Sequence, residues 1–408
     1  MKKSTLILIA VLIVGIVVVL SFQPLKQVSE NKKAQPVINI FNNAEEKETE
    51  APTQPPTTAP APIKEARSSE LSNGNYKSLV NSYDAYVSGY GFSGEVLVTE
   101  HNKVIYKNGA NYADKKKKIK NNEHTIFRVA SITKQFTAAA ILILQEKGKL
   151  SVRDKISKYF PSYKYASKIT IDDLLRMRSG IPDYMNFYSN CAMIFPDKSH
   201  PEKNSSKQNR KIIEKSFMTD PLLFTPGATY KYSNSGYMLL GEIIEKVSGT
   251  TYENFVQKKI FDKLNMTSSG FIENLDGSRD DVAKPYNYHK GNLDVFKIKG
   301  AAFACGNMYS TAYDLTKWAD GLRHNKIMSE KSFRMMISDP SRVGYGYGLF
   351  LLDKGHIAFH TGYLSPYSAM LIMSFGSTEY TCVAISNYNY YATENMGKAF
   401  RAQYASYF

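Results

Sequence analysis

The pattern of apolar and polar positions divides the chain into three stretches. An almost unbroken apolar run extends from Leu6 to Phe22 behind Met1-Lys2-Lys3. From Gln27 to about Ser69 the residues are polar and low in complexity, centred on Ala51-Pro52-Thr53-Gln54-Pro55-Pro56 and Ala59-Pro60-Ala61-Pro62. From Glu70 to Phe408 apolar residues recur at the spacings of strands and helices. The organisation expected is a membrane anchor or signal segment over residues 1–26, a Pro/Thr-rich spacer over 27–69 and one folded domain over 70–408. The apolar run approaches the ~20 residues that a spanning helix needs. No Ala-x-Ala cleavage pattern follows it, so an uncleaved N-terminal helix in the membrane is the expectation and a cleaved signal the alternative. The first places the folded domain outside the cytoplasm on a single-pass anchor at the cell membrane, the second makes it secreted. The spacer has too little apolar surface to fold, and its prolines favour an extended chain.

Within the domain the pattern predicts a short helix over Tyr76–Val87. Strands follow over Gly94–Thr99 and Lys103–Tyr106 across the polar turn His101-Asn102. Phe136, Ala139, Ala140, Ile143 and Leu144 share one helical face, and Gly148 ends that run. A long helix-and-loop region from about Leu150 to Met336 contains the segment Asp172–Met177, a polar Asn/Lys/Ser loop near Lys203–Lys211, and helices near Tyr237–Val247 and Thr311–Leu322. Strand patterns return over Tyr347–Leu352, Ile357–Phe359, Ala369–Ser374 and Thr381–Ser386, with a last helix from about Thr393. Gly344-Tyr345-Gly346-Tyr347-Gly348 reads as a strand lining a cleft. Strands at both ends with helices between imply an α+β fold: one antiparallel sheet built from both ends of the domain, flanked by helices, with an inserted helical lobe. A cleft at the lobe junction is where a site is expected.

The chain has 408 residues, 43% of them hydrophobic and 22% charged, which is ample for a large core and excludes disorder of the whole. The formal net charge is +15. In an exported protein that charge does not point to nucleic acid; the polyanions outside a membrane are lipid headgroups and anionic wall polymers, the alternative being a lysine-rich solvated surface. Three cysteines far apart, Cys191, Cys305 and Cys382, do not make a disulfide framework. The seven histidines are scattered, with no zinc-spaced pair, so neither a metal nor another cofactor is implied.

The chemistry is concentrated in Phe127-Arg128-Val129-Ala130-Ser131-Ile132-Thr133-Lys134. Ser131 opens the predicted helix and Lys134 lies three residues on, so their side chains share one face. A serine hydroxyl is a weak nucleophile until a base takes its proton. A lysine can be that base if burial or nearby positive charge lowers its pKa. Ser-x-x-Lys by itself is weak, because Ser29-Glu30-Asn31-Lys32 in the spacer also matches; taken alone, Ser131 reads as a helix cap. Two further elements follow in order: Tyr232-Ser233-Asn234 and His360-Thr361-Gly362. Tyr188-Ser189-Asn190 repeats the first tripeptide, and context selects Tyr232.

Together the three motifs resemble the ordered set of the serine β-lactamase and penicillin-binding protein superfamily. The Tyr-x-Asn form is similar to the class C branch with its DD-peptidases and esterases. Gly148–Asp154, Ile169–Leu175, Ser179-Gly180-Ile181 and Met308–Leu315 are similar to its connecting sequences. The resemblance implies a β-lactamase/transpeptidase-like fold and a nucleophile at Ser131, whose proton Lys134 and Tyr232 shuttle. It also implies a substrate amide held by Asn234, a substrate-binding strand at His360, Thr361 and Gly362, and an oxyanion hole of the Ser131 and Tyr363 backbone N–H groups. His360 departs from the lysine usual at that place; with an unperturbed pKa near ~6.5 it is only partly charged at neutral pH. Pro366, close to where the family often has glycine, is a second departure.

The expected function is a cell-envelope serine hydrolase on D-amino-acid amides or esters. A DD-carboxypeptidase acting on peptidoglycan comes first, and a D-alanyl esterase acting on an anionic wall polymer second. A class C-like β-lactamase and a penicillin-binding protein that acylates without useful turnover are the alternatives. The partners expected are a small-molecule or peptide substrate from the cell wall, the membrane through the N-terminal helix and anionic wall polymers, with no nucleic acid.

Overall fold

The computed structural model describes residues 64–65, 74–89, 91–187, 201–286, 298–388 and 393. All of them belong to one unit, Gln54–Phe408. Cys191, the Tyr188–Asn190 repeat and the C-terminal helix expected from Thr393 onward lie outside the described residues, apart from residue 393 itself. So does the apolar run at Leu6–Phe22. The single-pass cell-membrane localisation is therefore corrected: among the described residues no helix is long and apolar enough to cross a membrane.

The architecture is α+β. Its main sheet is assembled from β1 (Lys64–Glu65), β2 (Gly94–Glu100), β3 (Lys103–Ala110), β9 (Phe350–Leu352), β10 (Ile357–Leu364), β11 (Tyr367–Ser374) and β12 (Tyr380–Ser386). The order across it is β1-β3-β2-β12-β11-β10-β9, so strands from the two ends of the domain meet where β2 pairs antiparallel with β12. Among the described residues of this sheet, only the two-residue β1 pairs in parallel. His101 and Asn102, with φ of 46° and 59°, close the β2–β3 hairpin in the left-handed conformation that matches strand twist. Ser365-Pro366 closes the β10–β11 hairpin through a cis peptide bond.

Alternation along the strands covers both faces. Val96, Val98, Met370, Ile372, Cys382 and Ala384 face a smaller core with Tyr83 and Val87 of helix α1 (Gly74–Gly89). Leu97, Ala369, Leu371, Met373, Val383 and Ile385 face the larger one. The centre of that core is α2 (Thr133–Glu146), buried on every side from Thr133 to Leu144; a helix enclosed all round has no need of an amphipathic stripe. Phe136 stacks on Trp318 at 4.0 Å, and Trp318 Nε1 donates to Gln135 Oε1 at 2.8 Å.

Around α2 lie α3 (Ile171–Leu175), α4 (Ser206–Met218), α5 (Asn234–Ser248), α6 (Tyr252–Val256), α7 (Ala312–Arg323) and α8 (Glu330–Met336). Thr170 and Asp173 form a capping box that starts α3, and Gly249, with φ 70°, ends α5. The inserted lobe is not purely helical. β6 (Phe127–Arg128), β7 (Gly270–Phe271) and β8 (Met308–Ser310) make a small sheet in the order β6-β8-β7, while β4 (Tyr112–Asp114) pairs with β5 (Ile119–Lys120). These strands are two or three residues long, too short for a period-2 pattern to register. The Gly-Tyr repeat at 344–348 forms no strand; Gly348, at φ 71°, lies where a Cβ would be 2.6 Å from the Lys134 carbonyl oxygen, so that loop braces α2. Cys305 and Cys382 are buried free thiols.

Glu95, on β2, is 1% exposed. Burial, with the charge of Glu123 adding to it, pushes its pKa from 4.5 up to about 8. The native carboxyl thus keeps its proton through a range in which the unfolded chain has lost it, and the stability it permits falls as pH rises from about 4.5 to about 8. Glu95→Gln is expected to stabilise the fold by about 2–4 kcal/mol at pH 8 and by less than about 1 kcal/mol at pH 5. Thermal unfolding at the two pH values measures the difference, and an equal gain at both contradicts the assignment.

Candidate active site

Ser131 sits in a single 3-10 turn, Ala130–Ile132, that joins β6 to α2. Ala130 takes φ 47°, a left-handed backbone that a residue with a Cβ rarely adopts. The turn is held from both sides: Thr133 Oγ1 donates to Ala130 O at 2.7 Å and accepts from the Met308 N–H at 3.2 Å. Constraint of this kind is characteristic of functional turns.

The fold brings the three sequence motifs to this turn. Lys134, one turn into the helix and fully buried, donates from Nζ to Ser131 Oγ at 3.0 Å, Asn234 Oδ1 at 2.8 Å and Cys305 O at 2.7 Å. Tyr232 OH donates to Ser131 Oγ at 2.9 Å from the opposite side. Burial pulls the Lys134 amine down to about 8, against the opposing influence of Cys305 and Asp183. Burial also holds the Tyr232 phenol well above its ordinary 10, although its bond to Ser131 opposes the shift. One basic group and one acidic group therefore flank the same hydroxyl, with their proton affinities set apart by their surroundings.

Asn234 begins α5, yet both ends of its amide are engaged within the protein. Oδ1 faces Lys134, and Nδ2 donates to Asp183 Oδ1 and Oδ2 at 3.2 and 3.0 Å. Its position is that of a spacer between Lys134 and a buried carboxylate. Asp183 carried no local signal in the sequence, because its partner lies 51 residues away. Cys305, whose carbonyl holds Lys134 from 171 residues away, was equally illegible.

β10 carries the third motif past Ser131. A Cβ on Gly362 would lie 2.1 Å from Val129 O and 3.1 Å from Ser131 N, so only glycine lets the strand backbone come this close. Tyr363 follows immediately, with a side chain half exposed. Thr361 is partly exposed on the same strand. His360 differs from the partly charged group expected. It is 1% exposed and enclosed by Phe350, Tyr232 and Tyr345, whose ring centroids lie 5.2, 6.2 and 6.2 Å away. Its Nδ1 is 2.5 Å from Thr361 O and its Nε2 3.4 Å from Tyr345 OH. Burial, reinforced by Lys134, lowers its pKa to about 3, so the imidazole is neutral.

A strained turn presenting a serine, a desolvated lysine behind it, a phenol across from it and a glycine strand alongside define the serine β-lactamase and penicillin-binding protein class of hydrolases. The chain belongs to the Beta-lactamase family, whose model matches residues 83–406. It is similar to Protein flp of Staphylococcus aureus (strain MRSA252), 29% identical over 309 residues that cover 72% of this chain and 59% of flp. The chain spans about three fifths of the length of the curated relatives it matches. Its fold is that of a penicillin binding protein from Bacillus halodurans (TM-score 0.67, 23% identity, 78% of this chain and 99% of that one). The D-amino acid amidase of Ochrobactrum anthropi SV3 shares the fold as well (TM-score 0.65, 23% identity, 80% and 99%).

Gly362→Ala is expected to push β10 off the Val129–Ser131 turn and to slow acylation of Ser131 roughly 100-fold, the cost of about 1 Å of misplacement. Stopped-flow labelling with a fluorescent penicillin measures the rate, and a wild-type rate would show that the close approach is unnecessary.

Proposed function

We propose that this chain is a cell-envelope serine hydrolase that works through an acyl-Ser131 intermediate on D-amino-acid amides or esters. The observation that carries the reading is the meeting of Lys134 Nζ and Tyr232 OH on Ser131 Oγ at 3.0 and 2.9 Å.

In this reading Lys134 acts in its unprotonated form. It takes the Ser131 proton as Oγ adds to the substrate carbonyl, and the oxyanion that forms meets the backbone N–H groups of Ser131 and Tyr363. Tyr232 remains a neutral phenol and gives its proton to the departing amine or alkoxide. The Lys134 ammonium then restores the Tyr232 proton, which balances the acylation half. In deacylation a water loses a proton to the same pair as its oxygen adds to the acyl carbon, and Ser131 Oγ leaves with that proton. Lys134 is pre-positioned by Asn234 Oδ1 and Cys305 O, so little motion accompanies each transfer.

His360 supports a choice within the substrate class. A neutral imidazole enclosed by three aromatic rings brings no positive charge to a substrate carboxylate. Esters and amides whose leaving group carries no carboxylate suit the site better than β-lactams or peptides ending in a free carboxylate. D-Alanyl esters of an anionic wall polymer fit both that requirement and the formal net charge of +15.

The test is turnover of a D-alanyl ester, a D-amino-acid amide and a D-alanyl-D-alanine peptide, with intact-mass detection of the acyl-enzyme. Ester or amide turnover that is lost by at least 1,000-fold in Ser131→Ala supports the reading. Covalent labelling by penicillin with no turnover of any of the three supports a non-turning-over penicillin-binding protein instead. Because the base must be unprotonated, kcat/KM is expected to rise with pH through about 8, the pKa of Lys134. A flat profile between pH 6 and 9 would remove Lys134 from the base role.

A further inference from the structure

An amide side chain has a donor end and an acceptor end of nearly equal shape, so its orientation is set by its neighbours. At Asn234 that neighbour is Asp183, which is 8% exposed and accepts from the Asn234 backbone N–H at 3.1 Å, from both contacts of Nδ2 and from the Met185 N–H at 3.1 Å. Burial pushes the Asp183 pKa up. These hydrogen bonds and the charge of Lys134 work the other way, and donors on both oxygens favour the carboxylate over the neutral acid. We propose that Asp183 is a positioning residue for Lys134: its carboxylate locks the Asn234 amide with Oδ1 toward Nζ and supplies the buried negative charge that balances the ammonium. The inference rests on the acyl-Ser131 reading and deepens it by naming what regulates the base.

The titratable groups that face Lys134 are Asp183, Cys305, Tyr232, Tyr237 and His360. Burial holds the Cys305 thiol and both phenols above their ordinary values and His360 down at about 3. At neutral pH these four are uncharged, and Asp183 is the one group of the five whose hydrogen bonds favour an anion, with a donor on each oxygen. Cys305 opposes the lowering of the Lys134 pKa only as a thiolate, which it is not at that pH; the opposition that remains is the carboxylate's. Without that charge the ammonium is costlier to keep buried and releases its proton at lower pH. Without the acceptor the amide is also free to turn Nδ2 toward Nζ, which removes one of the three contacts that hold the amine beside Ser131.

The experiment is the pH dependence of kcat and kcat/KM for hydrolysis of a D-alanyl ester by the full chain and its Asp183→Asn and Asp183→Glu variants. In Asp183→Asn the acid limb is expected to move down by about 1 pH unit, with kcat reduced at least tenfold and KM little changed. Asp183→Glu keeps the charge and is expected to leave the limb in place and recover part of kcat. Asp183→Ser, smaller and neutral, is read in the same way if the asparagine variant does not fold. A limb that stays put in the neutral variants, a loss confined to KM, or a limb displaced in Asp183→Glu overturns the proposal. If the wild-type chain forms no acyl-Ser131, it is the underlying functional reading that fails.

Discussion

The site depends on one buried amine. Lys134 is fully enclosed, and its three hydrogen-bond partners, Ser131 Oγ, Asn234 Oδ1 and Cys305 O, come from three separate parts of the chain. An enclosed ammonium without such partners costs several kcal/mol, and burial alone would drive off its proton. The arrangement leaves the group between those extremes, with its pKa lowered to about 8 and its place beside the serine held by three contacts. Much of the surrounding architecture serves that balance. The helix carrying Lys134 is buried on all sides, Gly348 presses against its carbonyl, and Asp183 faces it through an amide.

The opposite wall is built by backbone rather than by side chains. β10 passes the serine turn at a distance that excludes any Cβ at Gly362, which brings the strand backbone against Val129 and Ser131. The same strand buries His360 among three rings, a setting that disfavours the charged imidazole. The enclosure is thus matched to a neutral residue, and the electrostatic character of the pocket follows from the packing of Phe350 and Tyr345 as much as from residue 360 itself.

The chain's own pattern determined a good deal. The α+β class, the sheet drawn from both ends, the hairpin turn at His101-Asn102 and the three motifs in order were all legible, because each depends on local periodicity, turn chemistry or short spacing. Ser131 and Lys134 are three residues apart, so their contact is nearly guaranteed once the helix forms. Tertiary structure alone decided the rest. The Tyr232 hydroxyl, the Cys305 carbonyl and the Asp183 carboxylate reach the site across 101, 171 and 51 residues of separation, and no local pattern encodes which distant groups will meet. It also decided protonation: whether a histidine is charged, or a lysine basic, depends on how much water the fold removes and which dipoles replace it, and that is a property of the packed interior rather than of the residue type.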